Sequence, residues 1–260
     1  MTARLRAVFD RAAAENRAAL VAYLTFADPT PAASIEVVEA ACRAGADVIE
    51  LGVPFSDPSA DGPSIQRAME RALDAGGSLP GALDAVRTLR ERDITTPIVI
   101  FGYYNPIFVM GPDAFAERAA AAGVDAVLTV DLPIDELAEL ATPLATRDVA
   151  VIPLVAPTST PERIDRLAQF APPFVYYISL VGVTGVRAAA PVDPARLAHI
   201  RHASGAPVAV GFGIRTPADA HRFAASADGV VVGSALVDRV AGGPSAVGAF
   251  VAELAAAMRR

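Results

Sequence analysis

Eight short apolar runs, rich in β-branched residues, alternate with helical segments along the chain, and this alternation most constrains its fold. Nearly continuous apolar runs are typical of strands buried on both faces, as in a parallel sheet. Eight strand–helix units predict one closed (β/α)8 barrel of the TIM type, an α/β fold. A doubly wound open sheet is the alternative, because strand order cannot be read from a sequence. The predicted strands are Leu20–Phe26, Val48–Val53, Ile98–Tyr104, Ala126–Leu132, Val149–Val155, Phe174–Val181, Val208–Ile214 and Gly229–Val237.

The segments between the strands carry helix start and stop signals, with proline in the first turn and glycine, such as Gly45 and Gly123, after the last. One helix precedes strand 1, and two helices rather than one follow strand 2. The chain shows no composition break and no obvious sequence repeat, so we expect a single barrel domain over residues 1–260. The predicted helices are Ala3–Ala18, Pro31–Ala44, Pro63–Ala75, Leu79–Arg92, Pro112–Ala122, Pro161–Phe170, Pro194–Ala203, Pro217–Ala225 and Ala246–Met258.

Charge and hydropathy exclude several classes of partner. The net charge is −7 and no basic block is present, so we expect neither nucleic acid nor membrane as a partner. No apolar run approaches the roughly 18 residues of a spanning helix. The first 20 residues mix charges and lack the apolar core of a secretion signal. The sequence therefore predicts a soluble, cytoplasmic protein.

The chain contains no lysine, which excludes catalysis through a lysine imine. His199 and His202 have the i, i+3 spacing that can bind metal, but no carboxylate motif accompanies them, and a solvated helix face is the preferred interpretation. We expect no metal site. The single cysteine, Cys42, is interpreted as a core residue.

Two acids near strand 2 are the candidate acid–base pair. Glu50 lies inside an apolar strand, where loss of hydration favours a neutral carboxyl suited to proton transfer. Asp61 lies in the following polar loop, and we expect it to stay ionised and to stabilise developing positive charge. A structural Glu50 paired with arginine is the alternative for the first acid. Asp57 is interpreted as a turn residue.

Glycines after the last strands predict a phosphate site. In barrels of this type, the loops after strands 7 and 8 bind phosphate through backbone N–H groups. The candidates are Gly213, Gly233 and Ser234, with Gly185 from the loop after strand 6. An ordinary tight turn is the alternative for each glycine alone. Side chains that are able to line an apolar pocket above the barrel are Tyr23, Phe101, Leu128, Tyr176 and Phe212.

Several motifs, in order along most of the chain, resemble the α subunit of tryptophan synthase. The motifs are ELGVPFSDPSADGPSIQRA, GYYNPIF, PLVAPTST, YYISLVGVTGVR, VGFGIRTP and ADGVVVGSALV. The resemblance implies a (β/α)8 barrel that cleaves indole-3-glycerol phosphate to indole and glyceraldehyde 3-phosphate by a retro-aldol reaction, with neither imine nor metal.

The resemblance also implies roles for single residues. Glu50 matches the family's catalytic acid and base, and Asp61 matches the acid that stabilises charge on the indole nitrogen. Tyr176 matches a tyrosine near the glycerol chain, and Thr184 lies in a loop that closes over the substrate in the family. The residues that match the phosphate cradle are Gly185, Gly213, Gly233 and Ser234; Phe212 is a further expected substrate-binding residue.

A partner is implied as well. The family's α subunit carries no cofactor and passes indole to a β subunit that contains pyridoxal phosphate (PLP), and an α2β2 tetramer is expected. Residues 54–61 and 104–108 match the surfaces that meet this partner. Alternatives are a stand-alone indole-releasing lyase, a non-catalytic barrel that binds a phosphorylated ligand and regulates its partner, and a phosphosugar isomerase. The two retained acids and the strand-2 segment argue against the last two.

The sequence departs from the family pattern after strand 1. Ala27 stands where family members usually have glycine in a T-x-G-D-P pattern. We expect it to restrict the turn without touching the proposed catalytic positions.

Overall fold

All nine strands of the described chain belong to one parallel sheet. The structure is a computed structural model, and it describes residues 2–178, 193–211 and 213–260. The strand order is β5-β4-β3-β2-β1-β9-β8-β7-β6, and every neighbouring pair is parallel. The strands are β1 Ala19–Thr25, β2 Val48–Gly52, β3 Ile98–Gly102, β4 Ala126–Thr129, β5 Ala150–Val151, β6 Leu154–Val155, β7 Val175–Ile178, β8 Val208–Gly211 and β9 Gly229–Val232.

The two ends of this sheet are consecutive pieces of one predicted strand. β5 pairs with β4, and β6 pairs with β7. Between the two pieces, Ile152 N–H donates to the Val127 carbonyl (2.8 Å) and Pro153 accepts from Tyr176 N–H (3.0 Å). Proline has no N–H to donate, so the run breaks into two short strands at Pro153. The broken strand closes the sheet, which confirms the (β/α)8 barrel and excludes the open sheet.

Twelve α-helices surround the described strands. One helix, α1, precedes β1, and α3 and α4 both lie between β2 and β3. The prediction missed α5, which begins at the last residue assigned to strand 3, and α11, which occupies the end of predicted strand 8; it also missed α7. The helices are α1 Thr2–Ala14, α2 Pro31–Arg43, α3 Pro63–Asp74, α4 Leu79–Glu91, α5 Tyr104–Met110, α6 Pro112–Ala122, α7 Ala138–Ala145, α8 Pro161–Asp165, α9 Pro194–Ser204, α10 Pro217–Ala224, α11 Ser234–Val237 and α12 Gly243–Ala257, with short 3₁₀ helices at Leu167–Phe170 and Val240–Gly242.

Side chains alternate between two buried layers along each strand, as the pleat requires. In β1, Val21 and Tyr23 point into the barrel, whereas Leu20, Ala22 and Leu24 pack in the layer between the sheet and the helices. Both layers are apolar, which explains why the strands appear as continuous apolar runs instead of alternating patterns.

Three aspartates tie neighbouring strands together at the amino-terminal face of the barrel. Asp47, Asp125 and Asp228 stand directly before β2, β4 and β9. Each accepts a backbone N–H from the start of the strand that precedes it in the fold: Leu20 (2.9 Å), Ile98 (2.9 Å) and Val208 (2.8 Å), respectively.

Each of these aspartates also pairs with an arginine, namely Arg17 at 2.5 Å, Arg90 at 2.7 Å and Arg201 at 2.6 Å, in the same order. The triplets Gly-Ala-Asp, Gly-Val-Asp and Ser-Ala-Asp are therefore a short recurring pattern, although the chain has no obvious longer repeat. At this face of a barrel such a repeat stabilises the fold.

The turn after β1 forms with alanine in a conformation that favours glycine. Ala27 is fully buried and has φ +65°. Its N–H donates to Ser34 Oγ at 3.0 Å, which holds the turn against the start of α2. The substitution therefore strains the turn without preventing it.

One described stretch, Ser234–Ala257, is long and apolar enough to cross a membrane by length and composition. In the fold it is divided among α11, a 3₁₀ helix and α12. Helix α12 buries its apolar face within the protein, through Val247, Phe250, Val251 and Leu254. The single domain over residues 1–260 stays a prediction.

Candidate active site

A cleft opens at the carboxyl ends of the strands, the end of a barrel that carries its chemistry. The empty space within the cleft is about 850 Å³, which includes open solvent at its mouth. The side chains and backbone that line it come from β1, β2, β3, β6, β7 and β9 and from the segments that follow β2, β4, β8 and β9. The described lining residues are Tyr23, Glu50, Ala60, Asp61, Ile65, Phe101, Val130, Leu154, Tyr176, Ile178, Gly213, Ile214, Arg215, Val231, Gly233 and Ser234.

Glu50 is a buried carboxyl, and one of its oxygens has no hydrogen-bond partner among the described residues. It lies in the middle of β2, its residue is 1% exposed, and Oε1 has no hydrogen-bond partner. Burial raises the pKa of Glu50 to about 8, because removal from water disfavours the charged form. Glu50 is therefore largely protonated at neutral pH, and within the described residues it forms no ion pair with an arginine.

Asp61 is buried too, although it lies in the loop after β2. Its residue is 4% exposed, and Oδ2 accepts a 2.7 Å hydrogen bond from the Tyr103 hydroxyl. Burial raises the pKa of Asp61 to about 6, against the lowering effect of the Tyr103 hydrogen bond. Asp61 lies in the loop after strand 2, as expected, but its side chain is buried there and not solvated. The expected order of the two acids is retained, since Asp61 loses its proton before Glu50.

Tyr103 fixes the loop as well as its acid. Its hydroxyl accepts the Ala60 N–H at 2.9 Å, and its ring stacks on Phe55 with centroids 4.8 Å apart. The sequence analysis placed Tyr103 at the end of strand 3 but gave it no role. Its position at a strand end could have indicated this role, because β3 lies next to β2 and both strands end at the same face of the barrel.

Two glycines make room for tyrosine hydroxyls beside the acids. A Cβ on Gly52 would lie 2.3 Å from the Tyr23 hydroxyl oxygen, and one on Gly211 would lie 2.1 Å from that of Tyr176. Burial, together with the neighbouring acids Glu50 and Asp61, raises the pKa of both tyrosines, so both hydroxyls stay neutral. Tyr23 and Tyr176 both line the cleft as predicted, whereas Leu128 is buried in the barrel core instead.

The predicted phosphate residues that the structure describes meet on the other side of the cleft. Gly213, with φ +69°, follows β8, while Gly233 and Ser234 follow β9. Arg215 lines the same region and had no role in the sequence analysis, although it stands in the quoted motif VGFGIRTP. Three further predicted residues, Thr184, Gly185 and Phe212, lie outside the described residues.

Metal-ligating side chains are dispersed. His199 Nε2 lies 3.0 Å from Asp165 on neighbouring helices. In the part of the chain that the structure describes, no three His, Cys, Asp or Glu side chains come together.

The structure is a (β/α)8 barrel whose cleft, at the carboxyl ends of the strands, is lined by two buried acids with different pKa values, an arrangement that suits acid–base chemistry. A family model described as tryptophan synthase alpha chain matches residues 9–259. The chain belongs to the tryptophan synthase alpha chain family. It is accordingly a lyase of tryptophan biosynthesis that cleaves indole-3-glycerol phosphate.

Individual relatives and solved structures support the same family. The tryptophan synthase alpha chain of Alkalilimnicola ehrlichii is 51% identical over 249 residues, which cover 94% of this chain and 91% of that one. That of Xanthomonas axonopodis pv. citri is 49% identical over 240 residues, with 92% and 90% covered. A structure of Mycobacterium tuberculosis tryptophan synthase matches with TM-score 0.92 at 41% identity and covers 99% of this chain and 98% of that one. Tryptophan synthase subunit alpha from Legionella pneumophila matches with TM-score 0.90 at 36% identity, with 98% of each chain covered.

Proposed function

We propose that Glu50 and Asp61 are the catalytic residues with which this chain cleaves indole-3-glycerol phosphate. One observation carries the proposal: Glu50 is a buried carboxyl with an unpartnered oxygen and a pKa of about 8, in the same cleft as Asp61 with a pKa of about 6. At neutral pH the first acid holds a proton and the second does not, so the pair can donate a proton and stabilise a cation together.

The first step is protonation of the indole ring. Glu50 donates its proton to indole C3, the carbon that bears the glycerol chain, and the positive charge that forms is shared with the ring nitrogen. The Asp61 carboxylate accepts a hydrogen bond from that N–H and stabilises the charge inside a dry site, where such an interaction is strong.

The second step breaks the carbon–carbon bond. The Glu50 carboxylate accepts the proton of the hydroxyl on the carbon attached to C3. That carbon becomes the aldehyde of glyceraldehyde 3-phosphate, and the bonding electrons return to the ring and neutralise the cation. Overall one proton moves from the hydroxyl to C3, so Glu50 ends in its starting state and no other reactant is consumed.

The remaining site residues are proposed to hold the substrate. The backbone of Gly213 and Gly233 and the Ser234 residue bind the phosphate, because glycine lets the backbone approach an anion closely. Tyr176 contacts the glycerol chain. By motif position, Thr184, Gly185 and Phe212 complete this set.

We further propose that the partner is a β subunit that contains PLP, in an α2β2 tetramer, and that this chain itself needs no cofactor. The exposed apolar pair Phe108 and Val109 on α5, 61% and 76% exposed, supports a protein partner near the mouth of the cleft. Mass measurement of the mixed subunits tests the stoichiometry, and a Phe108→Ser variant should weaken assembly without changing the fold.

The cytoplasm is the proposed location, as for a soluble biosynthetic enzyme.

Indole release from indole-3-glycerol phosphate tests the reaction and its residues. We expect Glu50→Gln to reduce kcat by about 10³-fold or more while substrate still binds, and Asp61→Asn to reduce it by about 10²-fold. Asp57→Asn, a change in an exposed acid of the same loop, is the matched control and should retain activity. Undiminished turnover in Glu50→Gln would refute the assignment.

The same assay separates the alternatives. Titration with the β subunit distinguishes an α subunit that depends on its partner from a stand-alone lyase, whose rate would not change. A wild-type chain that binds substrate but never releases indole, alone or with the partner, would support the regulatory barrel instead.

A further inference from the structure

The charges that line the cleft are uneven. Two of its lining residues are acids, Glu50 and Asp61, and within residues 2–178, 193–211 and 213–260 the one lysine or arginine on the lining is Arg215. The whole chain carries a net charge of −7. A phosphate monoester carries roughly 1.5 to 2 negative charges at pH 7. The substrate must therefore bring an anion into a cleft lined by two acids, of which Asp61 is ionised at neutral pH.

Arg215 lies on the side of the cleft that faces away from the acids. It is two residues after Gly213 in the loop that follows β8, whereas Glu50 lies on β2. Strands β9 and β1 separate β8 from β2 in the sheet. Three strand spacings of about 4.8 Å correspond to ~14 Å around the rim. A ligand with its reacting end at Glu50 and its anionic end at the β8 and β9 loops thus reaches towards Arg215.

The backbone at Arg215 is fixed by the start of α10. Arg215 N–H and Thr216 N–H donate to Asp219 Oδ2 at 3.3 and 3.1 Å, and Asp219 N–H donates to Thr216 Oγ1 at 3.1 Å. Asp219 itself pairs with Arg222 at 2.5 Å, which offsets its charge. These contacts hold the Cα of Arg215 at the rim while its side chain is exposed.

A guanidinium suits this position. It carries five N–H donors, so it can keep a contact with the protein and still bind two phosphate oxygens.

We propose that Arg215 is a substrate-binding residue that binds the phosphate group of indole-3-glycerol phosphate at the mouth of the cleft. The inference rests on the proposed function, because it extends the phosphate site formed by Gly213, Gly233 and Ser234. Arg215 adds charge-assisted hydrogen bonds that the backbone cannot supply, and it draws an anionic ligand to the correct end of an acidic protein.

Steady-state indole release by the full chain tests this role. We expect Arg215→Ala to raise KM about 10-fold and to change kcat less than 2-fold, because a contact made equally to substrate and transition state affects binding alone. The salt dependence of kcat/KM should become shallower. Arg215→Lys should recover part of the loss. Arg222→Ala, which removes the same charge from α10, the helix that follows Arg215, and lies outside the cleft lining, should leave KM unchanged.

Calorimetric titration separates phosphate binding from the reaction. Glycerol 3-phosphate, which carries the phosphate without indole, should bind Arg215→Ala about 10-fold more weakly than wild type, whereas indole should bind both equally. An unchanged affinity for glycerol 3-phosphate, or an equal loss in Arg222→Ala, would overturn the inference. If the wild-type chain released no indole, the proposed reaction would fail, and the titration would still decide whether Arg215 binds a phosphate monoester.

Discussion

The Tyr103 hydroxyl donates a 2.7 Å hydrogen bond to Asp61 Oδ2 across 42 residues of sequence. The Tyr103 hydroxyl oxygen also accepts a hydrogen bond from the Ala60 N–H. One side chain at the end of β3 therefore holds both the loop after β2 and the Asp61 carboxylate in that loop. A hydrogen bond to the ionised form lowers the pKa of a carboxyl that burial would otherwise raise further. Tyr103 therefore helps to keep Asp61 ionised while Glu50 stays protonated.

Tyr103→Phe should narrow the pH range of activity. Loss of the hydrogen bond raises the pKa of Asp61 above its value of about 6, so the acid limb of kcat should move up by about one pH unit. The fall in kcat at high pH, which deprotonation of Glu50 causes near pH 8, should stay at the same pH. The measurement is a pH profile of indole release. Tyr177→Phe, on the outer face of β7, should leave both limbs unchanged, and an unmoved acid limb in Tyr103→Phe would show that the hydroxyl does not tune Asp61.

Glu50→Gln should stabilise the fold while it abolishes the reaction, and more so at high pH. The pKa of Glu50 is about 8 in the folded protein against an ordinary 4.5, so the folded state binds the extra proton between these values. That stabilisation is complete below pH 4.5 and is lost as the pH rises through 8. The uncharged glutamine does not incur this loss.

Urea unfolding at pH 5 and pH 8.5 measures the difference. We expect the stability of Glu50→Gln relative to wild type to be greater at pH 8.5 than at pH 5 by about 2–4 kcal/mol. Parallel pH dependence in the two proteins would mean that Glu50 is not protonated in the folded state.

Ala27→Gly should raise the stability of the protein. Ala27 adopts φ +65°, a conformation that strains a residue with a Cβ, and glycine removes that strain. The greater freedom of glycine in the unfolded chain offsets part of the gain, so we expect a net increase of about 0.5–1 kcal/mol by thermal unfolding.

The control for this change is Ala40→Gly in the interior of α2, where glycine has no strain to relieve and should destabilise by about 1 kcal/mol. A loss of stability in both variants would mean that the turn after β1 is unstrained.

Asp125→Ala should be among the more damaging changes away from the cleft. Asp125 is fully buried and accepts hydrogen bonds from the Ile98 N–H and from the Arg4 and Arg90 guanidinium groups. Its removal leaves a buried N–H and two arginines without their acceptor, which we expect to lower the free energy of unfolding by about 2–4 kcal/mol in urea. Asp84→Ala breaks an exposed pair with Arg87 and should change it by less than about 1 kcal/mol. Equal effects of the two would refute a structural role for the repeated aspartates.

Much of the barrel could be predicted because its signal is local. Each strand is buried on both faces, and each helix carries its own end signals, so a short window of sequence identifies either one. The errors fall where the chain changes direction. α5 and α11 continue directly from strand ends, and Pro153 splits a run whose composition alone predicts one strand.

In the candidate site, too, the residues with a local sequence signal were identified and the others were missed. Glu50 was identified because an acid within an apolar strand is unusual, and the glycines after β8 and β9 because turn residues follow strands. Tyr103 and Arg215 were missed, since neither differs from its neighbours in sequence and each matters only through what it approaches in space.

The sequence alone therefore determined the class of fold, the family and the identity of the two acids, because periodicity and motifs are properties of neighbouring residues. Only the tertiary structure decided the state of those acids. Glu50 is buried with one oxygen unpartnered among the described residues, and Asp61 is buried against a tyrosine 42 residues away. Both environments depend on which distant segments meet. Loss of hydration and hydrogen bonding then raise one pKa to about 8 and hold the other near 6.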